Sequence, residues 1–391
     1  MYIEREILKK FEKLIGIYSI IAVVGARQSG KTTFLKEHIK QKKAVYLLFD
    51  DPDIRKLFDE DIKKFEKQYM GSNEISILDE VQYCKNAGIK LKYLADNNKK
   101  LLITSSSEII LGSEVLSYLV GRVSILKLYP FSLNEFLNAK NQKEFTQEVL
   151  KRNIWEHITY GGYPKVVLTD DIELKKTILK DLYDTMVLKD ISKLFSIDEI
   201  SSLEDFSRYL AVNTSNIISY DNISKNIQLP FRTIKKYLNA MEKSYLISRI
   251  KPFFQNKTKE ITKQPKVYFI DTGLRNIITK TFDNEVSGEL FENYILSELI
   301  KMGLNPKYWR TKAGAEVDFV IENEKEIIPI EVKIKSEKIS RGMLSFINNY
   351  QPKKAFVVNY QKTGKKVKIN GCGVIFTDIL ELKKSLMEKD D

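Results

Sequence analysis

The chain has 391 residues, 43% of them hydrophobic and 30% charged, with a formal net charge of +12. That length exceeds one ordinary domain and predicts roughly two to four. No apolar run approaches the roughly 18 residues a membrane-spanning helix needs, and the N-terminus lacks a signal-peptide pattern, which predicts a cytoplasmic protein with no membrane partner.

A leading helix is expected over 4–14, followed by apolar strands at 19–24, 44–49, 75–78, 101–104 and 123–127 separated by amphipathic helices. This alternation predicts an α/β unit with a parallel sheet covered on both faces. Directly after the first strand comes Gly25-Ala26-Arg27-Gln28-Ser29-Gly30-Lys31-Thr32, the G-x-x-x-x-G-K-T pattern of a phosphate-binding loop. The glycines let backbone N–H groups turn toward a phosphate, and the N-terminus of the next helix adds partial positive charge. Gly25, Ala26, Arg27, Gln28, Ser29, Gly30, Lys31, Thr32 and Thr33 are the candidate ATP-binding residues. Lys31 is assigned to the β- and γ-phosphates, and the Thr32 hydroxyl to Mg²⁺. A chance glycine turn would not carry a strand before it and a helix after it.

The strand at 75–78 runs into Asp79 and Glu80. Asp79 is the candidate for the Mg²⁺ shell, and Glu80 for polarising the attacking water. The fourth strand ends in Thr104-Ser105-Ser106, where a serine either senses the γ-phosphate or caps the next helix. Arg122 is a candidate catalytic arginine, acting in cis or across a subunit boundary of a homo-oligomer, or else a partner of a lid carboxylate. Together these motifs argue for hydrolysis rather than nucleotide binding alone.

From 132 to 210 the strand signals stop. Ser132 with Glu135 three positions on reads as a capping box, 160–164 as a loop, and 170–195 as a long helix, giving a helical lid. The segment 217–250 reads as a winged helix: a short helix at 221–227, a turn at 228–230, a second helix at 231–243 and the start of a β-wing at 245–250. Between 213 and 267 there are eleven Lys/Arg against three Asp/Glu. Arg232, Lys235, Lys236 and Lys243 fall on the exposed face of the second helix, and Arg249 and Lys251 on the wing. That placement nominates DNA as a partner, the alternative being a packing or dimerisation module.

The last part forms a separate α/β unit, with a helix at 289–302, strands near 308–309, 316–322, 327–333 and 355–359, and a helix between 343 and 349. Asp318 lies in one strand, and Glu331 and Lys333 lie on one face of the next. With Glu292 on the preceding helix these residues form a candidate Mg²⁺ site, in which Lys333 would orient or deprotonate a water. The alternative is a charged hairpin with Glu and Lys paired. The two cysteines, Cys84 and Cys372, form no disulfide framework, and the two histidines, His38 and His157, read as structural, so any metal must be held by carboxylates.

The order Glu292, Asp318, Glu331, Lys333 resembles the PD-(D/E)xK nuclease core, although no proline precedes Asp318. The chain as a whole resembles the prokaryotic AAA-like ATPases that carry a C-terminal domain of unknown function with a restriction-endonuclease-like fold. The resemblance is carried by 25–33, 78–82, 104–107, 119–122, 128–132, 161–164, 266–274, Phe291-Glu292-Asn293, Trp309-Arg310-Thr311 and Glu316-Val317-Asp318. It implies an AAA-like core at 1–131, a helical lid at 132–210, a winged-helix module at 211–285 and a nuclease-like unit at 286–391. Two functions follow as expectations. In one, ATP turnover gates DNA access to a Mg²⁺-dependent nuclease. In the other, ATP drives a DNA- or protein-binding switch whose nuclease-like unit is an inactive scaffold. A metabolic kinase would leave the winged helix and the carboxylates without purpose.

Overall fold

A computed structural model describes residues 2–106, 116–140, 146–186, 191–254, 260, 263–323, 326–360 and 364–387. The first sheet has five parallel strands, β1 (Ile20–Val24), β2 (Ala44–Leu48), β3 (Ile75–Asp79), β4 (Lys100–Ser105) and β5 (Val123–Lys127), in the order β2-β3-β4-β1-β5. β1 is central and consists only of apolar residues, all buried, because both faces of the sheet are covered. Ile20, Ala22 and Val24 point into one core, while Ile21 and Val23 meet Phe11, Phe34 and Leu35 on the other face. The leading helix is shorter than expected, Leu8–Ile15, and no side chain caps its start.

The core on the Ile20 face is continuous with the middle of the chain. It includes Leu179 and Leu182 of the helix Ile172–Thr185, Phe206 and Leu210 of Ile200–Val212, and Ile234, Leu238 and Met241 of Phe231–Lys243. The capping box at Ser132 forms, and Glu135 returns a hydrogen bond to its backbone. The long helix expected over 170–195 is described as Ile172–Thr185 and Ser192–Phe195, with 187–190 outside the described residues. The helices Tyr220–Ile227 and Phe231–Lys243 are separated by a turn in which Gln228 adopts φ 55°. They precede an antiparallel pair, β6 (Ile247–Ile250) and β7 (Lys266–Phe269).

The C-terminal sheet has six strands, β8 (Lys307–Arg310), β9 (Glu316–Glu322), β10 (Ile327–Lys333), β11 (Lys354–Asn359), β12 (Lys366–Ile369) and β13 (Cys372–Thr377), in the order β12-β13-β11-β10-β9-β8. The helix Gly288–Lys301 covers one face and the helix Arg341–Tyr350 the other, each with its own apolar cluster. The chain leaving β6 does not project as a free wing. Pro252 pairs with Tyr308 at the β8 edge, and the Tyr308 N–H donates to the Lys251 carbonyl at 3.1 Å, which extends the second sheet. Residues 255–259 and 261–262, which follow the expected start of the wing, lie outside the described residues.

Candidate functional sites

The phosphate loop lies at the C-terminal end of β1, between the ends of β4 and β5. Gly30 caps the helix Lys31–Ile39 with φ 96°, a conformation that disfavours any side chain. The Lys31 ammonium is buried in the loop and donates to the carbonyls of Gly25 and Ala26, each at 2.9 Å. Arg27, Gln28 and Thr33 are exposed around it, and Ser29 is buried. Asp79, at the end of β3, gathers three hydroxyls. Thr32 Oγ1 donates to its Oδ2 at 2.9 Å, Tyr46 OH to the same oxygen at 2.6 Å, and Thr104 Oγ1 to its Oδ1. Register pairs Asp79 with Thr104, so the hydroxyl of β4 that meets this carboxylate is Thr104, just before the serines expected to sense the γ-phosphate or cap the next helix. Ser107, the last residue of that motif, lies outside the described residues. Burial, followed by the Asp79 hydrogen bond, raises the Tyr46 phenol and keeps it a donor.

The next residue, Glu80, adopts φ 63° and ψ 30°, a left-handed conformation that is rare for a residue with a side chain. Outliers of this kind concentrate at functional sites. Thr32 and Asp79 present adjacent oxygen ligands of the hard type that Mg²⁺ prefers, so these residues fit the ion.

Arg5 was not legible as a site residue. It donates to the Ser29 carbonyl at 2.9 Å and to the Tyr129 carbonyl at 2.6 Å, and its Nε faces Glu135 at 3.0 Å. The loop is thereby clamped to the chain leaving β5 and to the helix Leu133–Ala139.

Arg122 requires a correction. Its carbonyl accepts from Ile20 N–H, which puts it at the N-terminal edge of the sheet, opposite the phosphate loop. Its guanidinium holds Asp96 at 2.6 Å. It lies away from the loop of its own chain, and the carboxylate it pairs with is Asp96 of the helix Ala87–Asp96 rather than one of the lid.

This geometry matches the family comparison: residues 18–137 match an AAA domain. The N-terminal unit is a P-loop ATPase domain of the AAA type. Downstream of this AAA unit, residues 151–285 and 287–378 each match a domain of unknown function (DUF8612 and DUF4143). An uncharacterised protein of Haemophilus influenzae is 27% identical, covering 91% of this chain and 92% of its own. One from Methanocaldococcus jannaschii is 29% identical, over 80% of this chain and 74% of its own. Among solved structures, the Walker-type ATPase of Pyrococcus abyssi gives a TM-score of 0.48 at 16% identity, covering 71% of this chain and 96% of that one. The Aeropyrum pernix ORC2 protein gives 0.40 at 14%, covering 71% and 95%. Likenesses this distant carry no argument. The assignment rests on the family match, the loop and the Asp79 cluster. No described helix is long and apolar enough to cross a membrane.

The basic helix Phe231–Lys243 exposes Arg232, Lys235, Lys236 and Lys243. Lys235 lies over the Phe231 ring at 4.5 Å, and Lys236 donates to the Ser196 carbonyl at 2.8 Å. Arg249 is bound by Glu242 and by Asn239, so its charge is spent within the module.

The carboxylates of the C-terminal unit do gather, but around lysines. Asp318 sits at an irregularity of β9: Lys307 pairs with Val320 but Trp309 with Val317, which leaves one extra residue on β9. Such a bulge re-aims a side chain. The β9–β10 ladder is described as far as Ile330 and Phe319, and Val332 N–H donates to Asp318 Oδ2 at 2.8 Å. Burial, then the charge of Glu292, pushes the Asp318 carboxyl up to about 7.

Glu331 is buried, with Lys333 Nζ 3.1 Å from its Oε1, while its Oε2 has no hydrogen-bond partner. Burial works against the Lys333 charge, but Asp318 and Glu331 outweigh it and its pKa is raised, so it is a poor base for deprotonating water. Glu292 Oε1 accepts from Lys266 Nζ at 3.1 Å and from Tyr268 OH at 2.6 Å. Among the described residues no three of His, Cys, Asp and Glu are arranged to hold a metal ion. The expected set of Glu292, Asp318 and Glu331 is therefore not arranged as a metal site: Lys266 meets Glu292, Lys333 meets Glu331, and Asp318 accepts the Val332 N–H.

His157 is structural. Its ring bridges Tyr294 OH at 2.9 Å and the Phe131 carbonyl at 3.1 Å, and burial lowers it to about 3.

Proposed function

We propose that the chain is an ATP-hydrolysing switch, in which turnover at the AAA unit changes how the following helical and basic module engages nucleic acid. The observation that carries hydrolysis is Asp79, held by Thr32 and Thr104 at the strand end and followed at once by the left-handed Glu80. In this reading Lys31 exchanges its two carbonyl partners for phosphate oxygens. Thr32 and Asp79 would hold Mg²⁺, which would supply neutralisation of phosphate charge. Glu80 accepts a proton from the attacking water.

Glu80→Gln is expected to bind ATP near wild-type affinity while phosphate release falls about 10²- to 10³-fold, the scale of a lost general base. Turnover at the wild-type rate removes Glu80 from the mechanism.

A polar chain running from Arg5 through the exposed Glu6 to the buried Lys383 and Glu298 supports coupling. Arg5 on the loop meets Glu135, and Glu135 Oε1 accepts the Glu6 N–H at 2.7 Å. Glu6 faces Lys383 at 3.6 Å, and Lys383 donates to Glu298 at 3.2 Å in the C-terminal unit. Although Glu298 is fully buried, Lys301 and Lys383 overcome the burial and hold its carboxyl well below the usual range. Such charges are costly to separate once buried, so the phosphate loop and the C-terminal helices move as partners.

The exposed cations of Phe231–Lys243 are the surface proposed to contact DNA. Replacing Arg232, Lys235 and Lys236 together should weaken DNA binding and reduce its log–log salt slope by about 3, near 0.9 per phosphate contact. Unchanged affinity and slope, measured by fluorescence anisotropy across salt concentrations, would move the contact elsewhere.

A further inference from the structure

We propose that Lys266 is the resident cation of the C-terminal carboxylate cluster, filling the place a divalent metal would take, so that this unit binds no catalytic metal. The proposal is independent of ATP hydrolysis at the phosphate loop.

Three observations converge on it. The first is position. Lys266 belongs to β7, in the module before the C-terminal unit, yet its ammonium reaches Glu292 Oε1 at 3.1 Å and Glu316 Oε1 at 2.5 Å. Its side chain is only 4% exposed.

The second is the state of the oxygens. Mg²⁺ takes about six oxygen ligands, several of them waters, and a protein holds it through one or two carboxylates whose lone pairs are free. Glu292 Oε1 already accepts two hydrogen bonds, from Lys266 and Tyr268, which fills the capacity of one carboxylate oxygen. Asp318 Oδ2 accepts the Val332 N–H, and Glu331 Oε1 holds Lys333. Among the fully buried side-chain oxygens of the described residues in this cluster, Glu331 Oε2 is the one without a hydrogen-bond partner.

The third is rigidity. The Lys266 backbone is fixed twice, paired with Ile250 in the β6–β7 ladder and bridged to Ile217. Withdrawing its ammonium would require β7 to move. A cation on so firm a support does not vacate the site as a solvated ion does. The same contact ties β7 to the helix Gly288–Lys301 and to β9, so Lys266 also fastens two units of the chain together.

The test uses the full-length chain without nucleotide, with MnCl₂ as the probe, read by calorimetric titration and by thermal unfolding. The wild type should show no Mn²⁺ binding that Asp318→Asn abolishes. Lys266→Met keeps the aliphatic stem but takes the Lys266 ammonium away from Glu292 and Glu316. It should unfold at lower temperature, recover on adding Mn²⁺, and bind the ion about tenfold or more tightly than the wild type, the least expected from removing one close like charge. Adding Asp318→Asn to that variant should abolish the response, while Lys266→Arg should behave as the wild type.

Mn²⁺ binding by the wild type that is lost in Asp318→Asn overturns the proposal. So does a folded Lys266→Met chain that ignores Mn²⁺. If Lys266→Met does not fold, the comparison of the wild type with Asp318→Asn decides the matter alone.

Discussion

Lys31→Ala is expected to abolish ATP turnover and to weaken nucleotide binding by about 30-fold or more. The ammonium is buried in the loop, held by the Gly25 and Ala26 carbonyls, and poised on the path of a phosphate. Truncating one member of a buried, charge-assisted pair costs about 2–5 kcal/mol, and each 1.4 kcal/mol is tenfold in affinity. The fold itself should tolerate the change, because the alanine keeps the helix that starts at Lys31. Two measurements separate the site from the scaffold. Thermal unfolding without nucleotide should stay near the wild-type midpoint. The stabilisation that ATP and Mg²⁺ give the wild type, about 2.7 kcal/mol at a hundredfold excess over Kd, should fall to about 0.9 kcal/mol or less at the same concentration. A variant that retains this stabilisation and releases phosphate at the wild-type rate would remove the loop from the nucleotide site.

The second large effect lies away from the nucleotide. Gly161→Ala is expected to destabilise the chain by about 3 kcal/mol or more. Gly161 has φ +75°, and a Cβ there would stand 2.0 Å from Asp271 Oδ1. Asp271 cannot yield, because its carboxylate is fully buried and accepts the N–H of Gly162 at 2.8 Å and of Leu274 at 3.1 Å. The substitution therefore combines a left-handed backbone penalty with overpacking against a fixed polar group. Neighbouring contacts are as close: a Cβ on Gly162 would meet the Phe131 carbonyl at 2.3 Å, and one on Gly273 the Tyr160 carbonyl at 2.2 Å. The motifs 161–164 and 271–274 form one interlock between the helix Gln147–Tyr160 and the helix Thr272–Thr279. Urea unfolding is the measurement, and a midpoint equal to the wild type would show that the interlock can relax. Because Pro164 packs near Gly30 of the phosphate loop, loosening the interlock should also lower nucleotide affinity in the folded fraction.

Local signals placed most of the elements. The apolar runs at 19–24 and 75–78 differ from the observed strands by a residue at one end, since a strand buried on both faces needs no partner knowledge to be recognised. The helix expected at 231–243 matches Phe231–Lys243, because its apolar spacing and the preceding Pro230 are both local. The strands Lys366–Ile369 and Cys372–Thr377 and the helix Ile379–Met387 were not anticipated. Of these, β12 is short and lysine-rich and is held by its pairing with β13, while the final helix is held by packing Ile379 and Leu382 into the core under the sheet.

The sequence by itself determined the phosphate loop, the Asp79-Glu80 pair and the basic face of Phe231–Lys243, because each lies within one element or one turn. Only the tertiary structure decided which groups meet. It brought Thr104 to Asp79, sent Arg122 to the far edge of the sheet, and clamped the loop with Arg5. It also set Lys266 against Glu292, although 26 residues separate them. Spacing can place Asp318, Glu331 and Lys333 on adjoining strands, but it carries no information about a cation arriving from another unit. The sign of a charged site is set by everything that folds against it, and that sum exists only once the chain has closed.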